Sequence, residues 1–528
     1  MPDKSEEPAA PRTTTLMSTQ NAKTTQGDQY FRTDHLMTNL GGKAARGGVI
    51  AIGSQALKFV ITIAATSVMA HLLTPQDYGL IGMVAFVTGF VSMYKDLGLS
   101  AATVQRGEIS SRQISTLFWV NVLLSLAITL VTVAIAPLVA WFYGEPRLTW
   151  ITVATSSGFL ISGLSVQHEA LLRRQMRYFT LAAIGIAGIV AGYVVGILMA
   201  WYGFSYWALV SSQLALVTVS TALTVTFCRW IPGLPQRNTG VRSMVRFGGN
   251  LTGFTTINYF SRNLDNLLIG RYWGAQQLGL YTRAYQLMGL PIDQINEPVT
   301  SVAVPALSRL NDSPESYRKA YLRMLEKIAL LTMPCVVLLL VTSDWIVRIV
   351  LGSQWAGATR IFVLLGVTAL FQPIANTTGW LLISQGRTKQ MFQWGLISGP
   401  IIMASIIAGL PWGAVGVAAS YAFTRVCIVD PLLYWFVGRR GPVRTVDFYK
   451  TMAPFVCASL CALVASLAFR RWSNVSSGTW TIILCSIITA ATTLLVLAII
   501  PAGRRALQDV KNSLLLLVAG PPESVALP

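Results

Sequence analysis

The sequence predicts an all-α integral membrane protein of about 14 transmembrane helices, with both termini in the cytoplasm (N-in/C-in). Its expected plan is two parallel-repeat six-helix lobes plus two extra C-terminal helices. Three observations predict this. Apolar stretches recur along the chain, most of them near the ~20 residues that a helix needs to cross a bilayer. Positive charge gathers in every second connection between them. A weak repeat relates stretches six spans apart.

The stretches begin near Gly47, Gly79, Ser115, Leu148, Tyr178, Ser205, Arg246, Gly279, Leu325, Thr359, Gln390, Trp412, Thr451 and Thr479. One set of connections and the flanking tails holds 25 lysines and arginines, among them Arg173, Arg174 and Arg177, and Arg439, Arg440 and Arg444. The intervening set holds six, or seven with Arg283 near the start of span 8. Loops rich in lysine and arginine stay in the cytoplasm, which orients the chain. A miscounted span would invert the pattern downstream, and no inversion occurs.

The composition excludes several classes. With 53% hydrophobic and 12% charged residues and a mean hydropathy of +0.56, the chain is too apolar for a soluble enzyme of this length. The net charge of +19 sits in loops, where it sets topology and meets anionic headgroups, so no nucleic-acid partner is expected. Apolar runs of about 20 residues do not suit a β-barrel, whose strands alternate over about 10. Residues 1–46 are polar and read as a disordered cytoplasmic tail, with no cleaved signal peptide. Residues 502–528 read as a second cytoplasmic tail. The six cysteines and three histidines do not cluster, so neither a disulfide framework nor a metal site is expected.

The repeat defines the expected domains. Gln76, Gly79 and Leu80 after span 1 fall on Gln276, Gly279 and Leu280 after span 7, an offset of 200 residues. Phe142-Tyr143-Gly144 after span 3 matches Val350-Leu351-Gly352 after span 9. An offset of six spans keeps both halves in one orientation, as in parallel-repeat transporters. The expected units are lobes at 47–230 and 246–438 and an additional helix pair at 451–501.

No phosphate-binding GxxxxGK[ST] loop is present, so nucleotide-driven pumping is not expected. Chemistry must come from polar residues within spans, which are costly in hydrocarbon and therefore candidates by default. Span 1 places Gln55, Lys58 and Thr62 on one face. Span 7 does the same with Asn258, Arg262, Asp265 and Asn266. Span 8 aligns Gln286, Asp293 and Glu297 and is punctuated by Pro291, Pro298 and Pro305, which allow bending. Span 12 holds Arg425 and Asp430, whose spacing of five puts them on different faces. Lys95 and Asp96 close span 2.

Gln55, Lys58, Asn258, Arg262 and Arg425 are the expected substrate-binding positions. Their cations suit an anionic group such as a phosphate. Asp265, Asp293 and Glu297 are the expected coupling or charge-pairing positions. Each has an ordinary alternative: Arg262 and Asp265 pair at i, i+3; Asp293 and Glu297 pair with Arg262 or Lys58; Lys95 and Asp96 snorkel to the interface. Tyr259, Tyr281, Tyr285, Trp380 and Tyr421 could stack on sugar faces or simply anchor at the interface.

The stretch Tyr259–Pro334 carries a resemblance. It contains FSRNLDNLLIGRYWG (Phe260–Gly274), LGLYTRAYQL (Leu278–Leu287) and VPALSRLNDS (Val304–Ser313), followed by YRKAYLRMLEKIALLTMP. With HLLTPQDYGLIG (His71–Gly82), these resemble the polysaccharide transporter branch of the multidrug/oligosaccharidyl-lipid/polysaccharide exporter superfamily. The likeness is to lipopolysaccharide and exopolysaccharide flippases of the colanic-acid and succinoglycan type, from about Gly47 to Gly438. The resemblance implies a bilobed carrier, not an enzyme, for undecaprenyl-diphosphate-linked oligosaccharide in the bacterial inner membrane, working by alternating access. Its implied partners are membrane lipids and a polysaccharide polymerase with its export machinery. No cofactor is implied; coupling to H⁺ or Na⁺ is left open. A lipid II flippase and a cation-coupled multidrug exporter are the alternatives within the superfamily. A non-transporting scaffold is the alternative outside it, and the polar faces of spans 1, 7 and 8 argue against it.

Overall fold

A computed structural model describes residues 40–96, 98–105, 109–235, 241–472 and 479–519. Among these residues the fold is all-helical, with no strand. The N-terminal helices are α1 (Leu40–Leu72), α2 (Pro75–Ser92), α3 (Leu99–Gln105), α4 (Ser111–Tyr143), α5 (Arg147–Gly163), α6 (Val166–Arg174), α7 (Tyr178–Trp201) and α8 (Trp207–Cys228). There follow α9 (Val241–Ser308), α10 (Pro314–Val341), α11 (Ala358–Ser384), α12 (Thr388–Gly409), α13 (Gly413–Thr424) and α14 (Asp430–Gly438). The last three are α15 (Thr445–Trp472), α16 (Thr479–Ile499) and α17 (Pro501–Ala519).

Among the described residues, nine helical segments are long and apolar enough to cross a membrane. The pair α5 and α6, bent by 42°, makes a tenth. The chain is therefore a multi-pass membrane protein. One of the nine, Thr388–Gly438, is 51 residues long and holds α12, α13 and α14. α2 and α9 are not among them; α9 carries Arg262, Asp265, Arg283 and Asp293 in its length.

Local chemistry sets the helix ends. Thr74 caps α2: its hydroxyl accepts from Asp77 N, Asp77 accepts from Thr74 N at 2.9 Å, and Pro75 starts the first turn. Ser110 and Gln113 form the same box at α4, and Gly144 closes that helix with φ +69°. α9 is interrupted at Gly274 alone, whose φ of +77° suits glycine, and there the chain turns back. Two expectations are corrected. The backbone stays helical through Pro291, Pro298 and Pro305, so the break lies at the glycine. α1 starts at Leu40, inside the segment expected to be disordered. The apolar stretch that begins near Leu325 is the second part of α10, which starts at Pro314 with a basic segment and runs on without a break.

The core shows how the halves meet. At the arginine-poor end one apolar cluster crosses both, joining Met69, Leu73, Tyr78 and Leu80 to Leu278, Tyr281, Trp355 and Phe362. At the arginine-rich end the core divides. Ile114, Leu117, Leu171 and Trp230 pack among the N-terminal helices, and Tyr317, Tyr321, Leu381 and Phe448 among the C-terminal ones. Phe86 and Phe90 on α2 against Tyr259 and Phe260 on α9 bridge the halves along one side. Among the described residues the buried core is thus continuous across the halves at one end and divided between them, as a cleft, at the other.

The seal is reciprocal. Gly79 lies against the backbone of Ala275, and Gly279 against that of Pro75. These pairs exchange under the 200-residue offset, as a two-fold relation between the repeats requires. The hairpin between α10 and α11 completes the seal. Gln354 Nε2 donates to Ala70 O at 2.6 Å and to Leu73 O at 2.8 Å, and Trp355 Nε1 donates to Ala70 O at 2.9 Å. These bonds satisfy carbonyls of the last turn of α1 that have no partner within the helix.

α15 docks on α10 through Arg318 with Asp447, and on the short helical turn Ser343–Ile346 that follows α10 through Arg470 with Asp344 (2.8 Å). The C-terminal pair is therefore held to the bundle by charge as well as by apolar contact. The segment expected as a C-terminal tail is helical over Pro501–Ala519.

Candidate functional site

The polar residues fall on the walls and roof of the cleft. On the α1 wall Lys58 and Gln55 are half-buried, and the Lys58 ammonium lies over Gly185 of α7, where no side chain blocks its approach. Among the described residues Lys58 has no carboxylate within salt-bridge distance. Two turns along the same helices, about 12 Å away at the helical rise, Thr66 Oγ1 meets Tyr193 Oη at 3.3 Å.

Arg283 forms the roof beneath the seal. Its guanidinium stacks on the Tyr78 ring at 3.8 Å and donates to Gln286 Oε1 at 2.7 Å, with Tyr193 nearby. It too lacks a carboxylate partner among the described residues. In the sequence Arg283 reads only as one more charge near the start of span 8. The signal that could have placed it is the repeat: four residues past Gly279, it lies inside the span that packs on α2.

The other wall belongs to α9, α13 and α14. Arg262 is exposed on α9 and makes no ion pair among the described residues. Asp265, one turn on, is buried and accepts from the Tyr281 hydroxyl at 2.8 Å and from Asn266 N at 2.8 Å. The helical spacing that permitted an Arg262–Asp265 pair is therefore not used. The turn at Gly274 returns Tyr281 to that level instead. Tyr285 and Tyr421 lie within electrostatic reach of both Arg262 and Arg425, so the two cations belong to the same wall. Tyr281 and Tyr285 stack with centroids 6.4 Å apart.

Arg425 corrects a second expectation. Residues Arg425–Val429 form a π-turn, so Arg425 and Asp430 share a face and pair at 3.1 Å. Asp293 is exposed with its carboxylate above Gly289. The side chains of Asn258 and Glu297 lie outside the described residues. Two other candidates leave the cleft. Trp380 donates to Thr300 at 3.1 Å within the C-terminal core, and the Tyr259 hydroxyl donates to Phe86 O at 2.7 Å. Lys95 and Asp96 do not snorkel: Lys95 donates to Ser162 at 2.8 Å, and Asp96 accepts from Ser100 and Asn121.

Phenylalanine at Tyr281 should test the buried carboxylate. It removes one of two hydrogen bonds to Asp265 and leaves the group poorly satisfied, at a cost of about 1–3 kcal/mol. The expected result is a melting midpoint a few degrees lower in detergent. An unchanged midpoint would mean that Asp265 is satisfied by other groups.

A multi-pass helical bundle with a cationic, one-ended cleft between its halves has the architecture of a membrane transporter. The chain belongs to the polysaccharide biosynthesis protein family, whose model matches residues 68–360, more than half its length. The Tyr259–Pro334 landmarks fall inside the match, and the family is the one their resemblance indicated. Among its relatives are the teichuronic acid biosynthesis protein TuaB of Bacillus subtilis and the lipopolysaccharide biosynthesis protein WzxC of Escherichia coli. TuaB is 26% identical over 77% of this chain and 85% of that protein. WzxC is 27% identical over 70% and 76%. The succinoglycan biosynthesis transport protein ExoT of Rhizobium meliloti is 23% identical over 80% and 84%. By fold, the chain is similar to the lipid II flippase MurJ in an inward closed conformation, with TM-score 0.68 and 14% identity over 85% of this chain and 98% of that one.

Proposed function

We propose that the protein is a flippase for undecaprenyl-diphosphate-linked oligosaccharide repeat units, acting in the bacterial inner membrane for surface polysaccharide assembly. In this reading the chain crosses the membrane fourteen times with both termini in the cytoplasm, and the lobes are residues 47–230 and 246–438. The arginine-rich opening then faces the cytoplasm, where the lipid-linked unit is made. One observation carries the reading: Lys58, Arg262 and Arg283 stand in the cleft with no carboxylate partner among the described residues. Unpaired cations inside a membrane protein are costly. A diphosphate headgroup would neutralise them, while the prenyl tail stays in lipid along α15 and α16. A carrier for cationic drugs would favour acidic walls.

Transport proceeds by opening the seal as the cleft closes, one half rocking against the other. Asp265, the buried carboxylate of this wall, is the coupling group for H⁺ or Na⁺, with Asp293 and Glu297 further along the same helix. Export that persists after both ion gradients collapse would remove this part.

The test is a strain lacking the protein. Lipid-linked oligosaccharide should accumulate and surface polymer disappear. Wild type should restore both, whereas Arg262→Ala should restore less than about a tenth of the polymer, as expected when a charge-assisted phosphate contact is lost. Normal levels of both species in the deletion strain would overturn the reading. A normal surface polymer with a failing cell wall would point to lipid II instead.

A further inference from the structure

The π-turn joining α13 to α14 ties the cleft to the shape of a helix. In a π-turn the hydrogen bond spans five residues, which brings Arg425 and Asp430 to one face; in an α-helix the same spacing leaves them about 140° apart. Their ion pair, Arg425 Nη2 to Asp430 Oδ1 at 3.1 Å, is nearly enclosed, with side-chain exposures of 17% and 4%. It is also incomplete, because the buried Oδ1 accepts no hydrogen bond. On the cleft side Arg425 faces Tyr421 and Tyr285, and through them Arg262. On the outer side Asp430 borders an apolar cavity of about 500 Å³ lined by Phe371, Val426, Tyr434 and Met452. Among the described residues no second cation is within salt-bridge distance of Asp430.

We propose that Asp430 is a stand-in for the substrate's anionic group. A diphosphate entering the cleft takes Arg425 from Asp430, and the π-turn, no longer held by the pair, relaxes toward α-helical register. Resting on the flippase reading, this names the coupling between headgroup binding and the geometry of one span. An incompletely bonded carboxylate is a weak competitor for a guanidinium that a diphosphate can grip with two oxygens. By linkage, whatever loosens the turn strengthens anion binding to the same degree. π-Turns collect at functional sites because their extra residue can be redistributed.

The experiment uses the full chain in nanodiscs with inorganic diphosphate as probe. The five other cysteines are replaced by serine, and a trifluoroethyl label is placed on Cys427, which is exposed inside the π-turn. Diphosphate should shift the ¹⁹F resonance of the label. Asp430→Asn should bind diphosphate about 5-fold tighter or more, the lower edge of ordinary coupling, and show the shifted resonance without ligand. Asp430→Glu, which keeps the competitor, should bind like wild type, and equal melting midpoints of the variants would certify folding. Diphosphate that binds with equal affinity to wild type and Asp430→Asn, or that leaves the resonance unmoved, would overturn the inference alone. Diphosphate binding unaffected by Arg262→Ala would instead overturn the cleft assignment beneath it.

Discussion

Valine at Gly79 should prop the arginine-poor end open and reduce export at least tenfold. A Cβ at this position would overlap three backbone atoms of Ala275, and one at Gly279 would overlap the carbonyl of Pro75. Backbone cannot rotate aside as a side chain can, so α2 and the second half of α9 must separate. Overpacking of this kind costs about 1–3 kcal/mol. At about 1.4 kcal/mol per factor of ten, most of that range suffices to shift a two-state seal. The Gln354 and Trp355 bonds to the end of α1 would be strained by the same separation. Gly379, with nothing within 4 Å of a Cβ, is the control; alanine there should be silent. The seal can be read with cysteine at Ala70, which is fully buried beneath Trp355. A membrane-impermeant maleimide added to intact cells reaches that end on the proposed topology. It should label Cys at position 70 faster in the Gly79→Val background. Unchanged export together with unchanged labelling would show that this contact does not move during transport.

The bundle was legible because membrane insertion writes it into local composition. Helices begin at Tyr178 and Thr479, where the apolar stretches do, and loop charge orders the rest. The reciprocal seal was foreshadowed by Gly79 and Gly279, since close backbone approach needs glycine at both related positions. What escaped was contact geometry that no window of sequence contains. Arg283 rests on Tyr78, a residue of another helix more than 200 positions away, so nothing near it marks it as a cleft residue. Arg425 and Asp430 were placed on different faces by assuming an α-helical period. The inserted residue of a π-turn has no compositional signature. Spacing along one helix leaves an Arg262–Asp265 pair open as an alternative, whereas the return of the chain at Gly274 that delivers Tyr281 to Asp265 has no local signal. The start of α10 at Pro314 rather than near Leu325 has a similar cause. The basic amphipathic segment and the apolar one are separately readable, but nothing between Lys327 and Leu330 indicates whether the helix breaks.

Arg283→Ala should have the largest effect of any cleft substitution, lowering export about a hundredfold while leaving the fold as stable as before. The two halves of this expectation come from one balance. Stacking on Tyr78 at 3.8 Å contributes about 2 kcal/mol at a desolvated site. Withdrawing an ion from water without a counter-ion costs several kcal/mol. The native residue is therefore a net liability to folding, and alanine should leave the melting midpoint unchanged or raise it. Such a charge needs a role other than stability, and this one stands directly beneath the seal, where on the proposed function a headgroup passes before the opposite end opens. Arg283→Lys separates charge from shape. Lysine keeps the cation but loses the planar face on Tyr78 and the fork that grips two phosphate oxygens. Export should then fall to an intermediate level, roughly a tenth of wild type, if bidentate recognition matters as for other guanidinium–phosphate pairs. Measuring export and melting midpoint together decides the matter. A hundredfold loss at constant midpoint assigns Arg283 to the substrate. A loss that tracks a falling midpoint would mean that its stacking on Tyr78 serves only to hold α2 against α9.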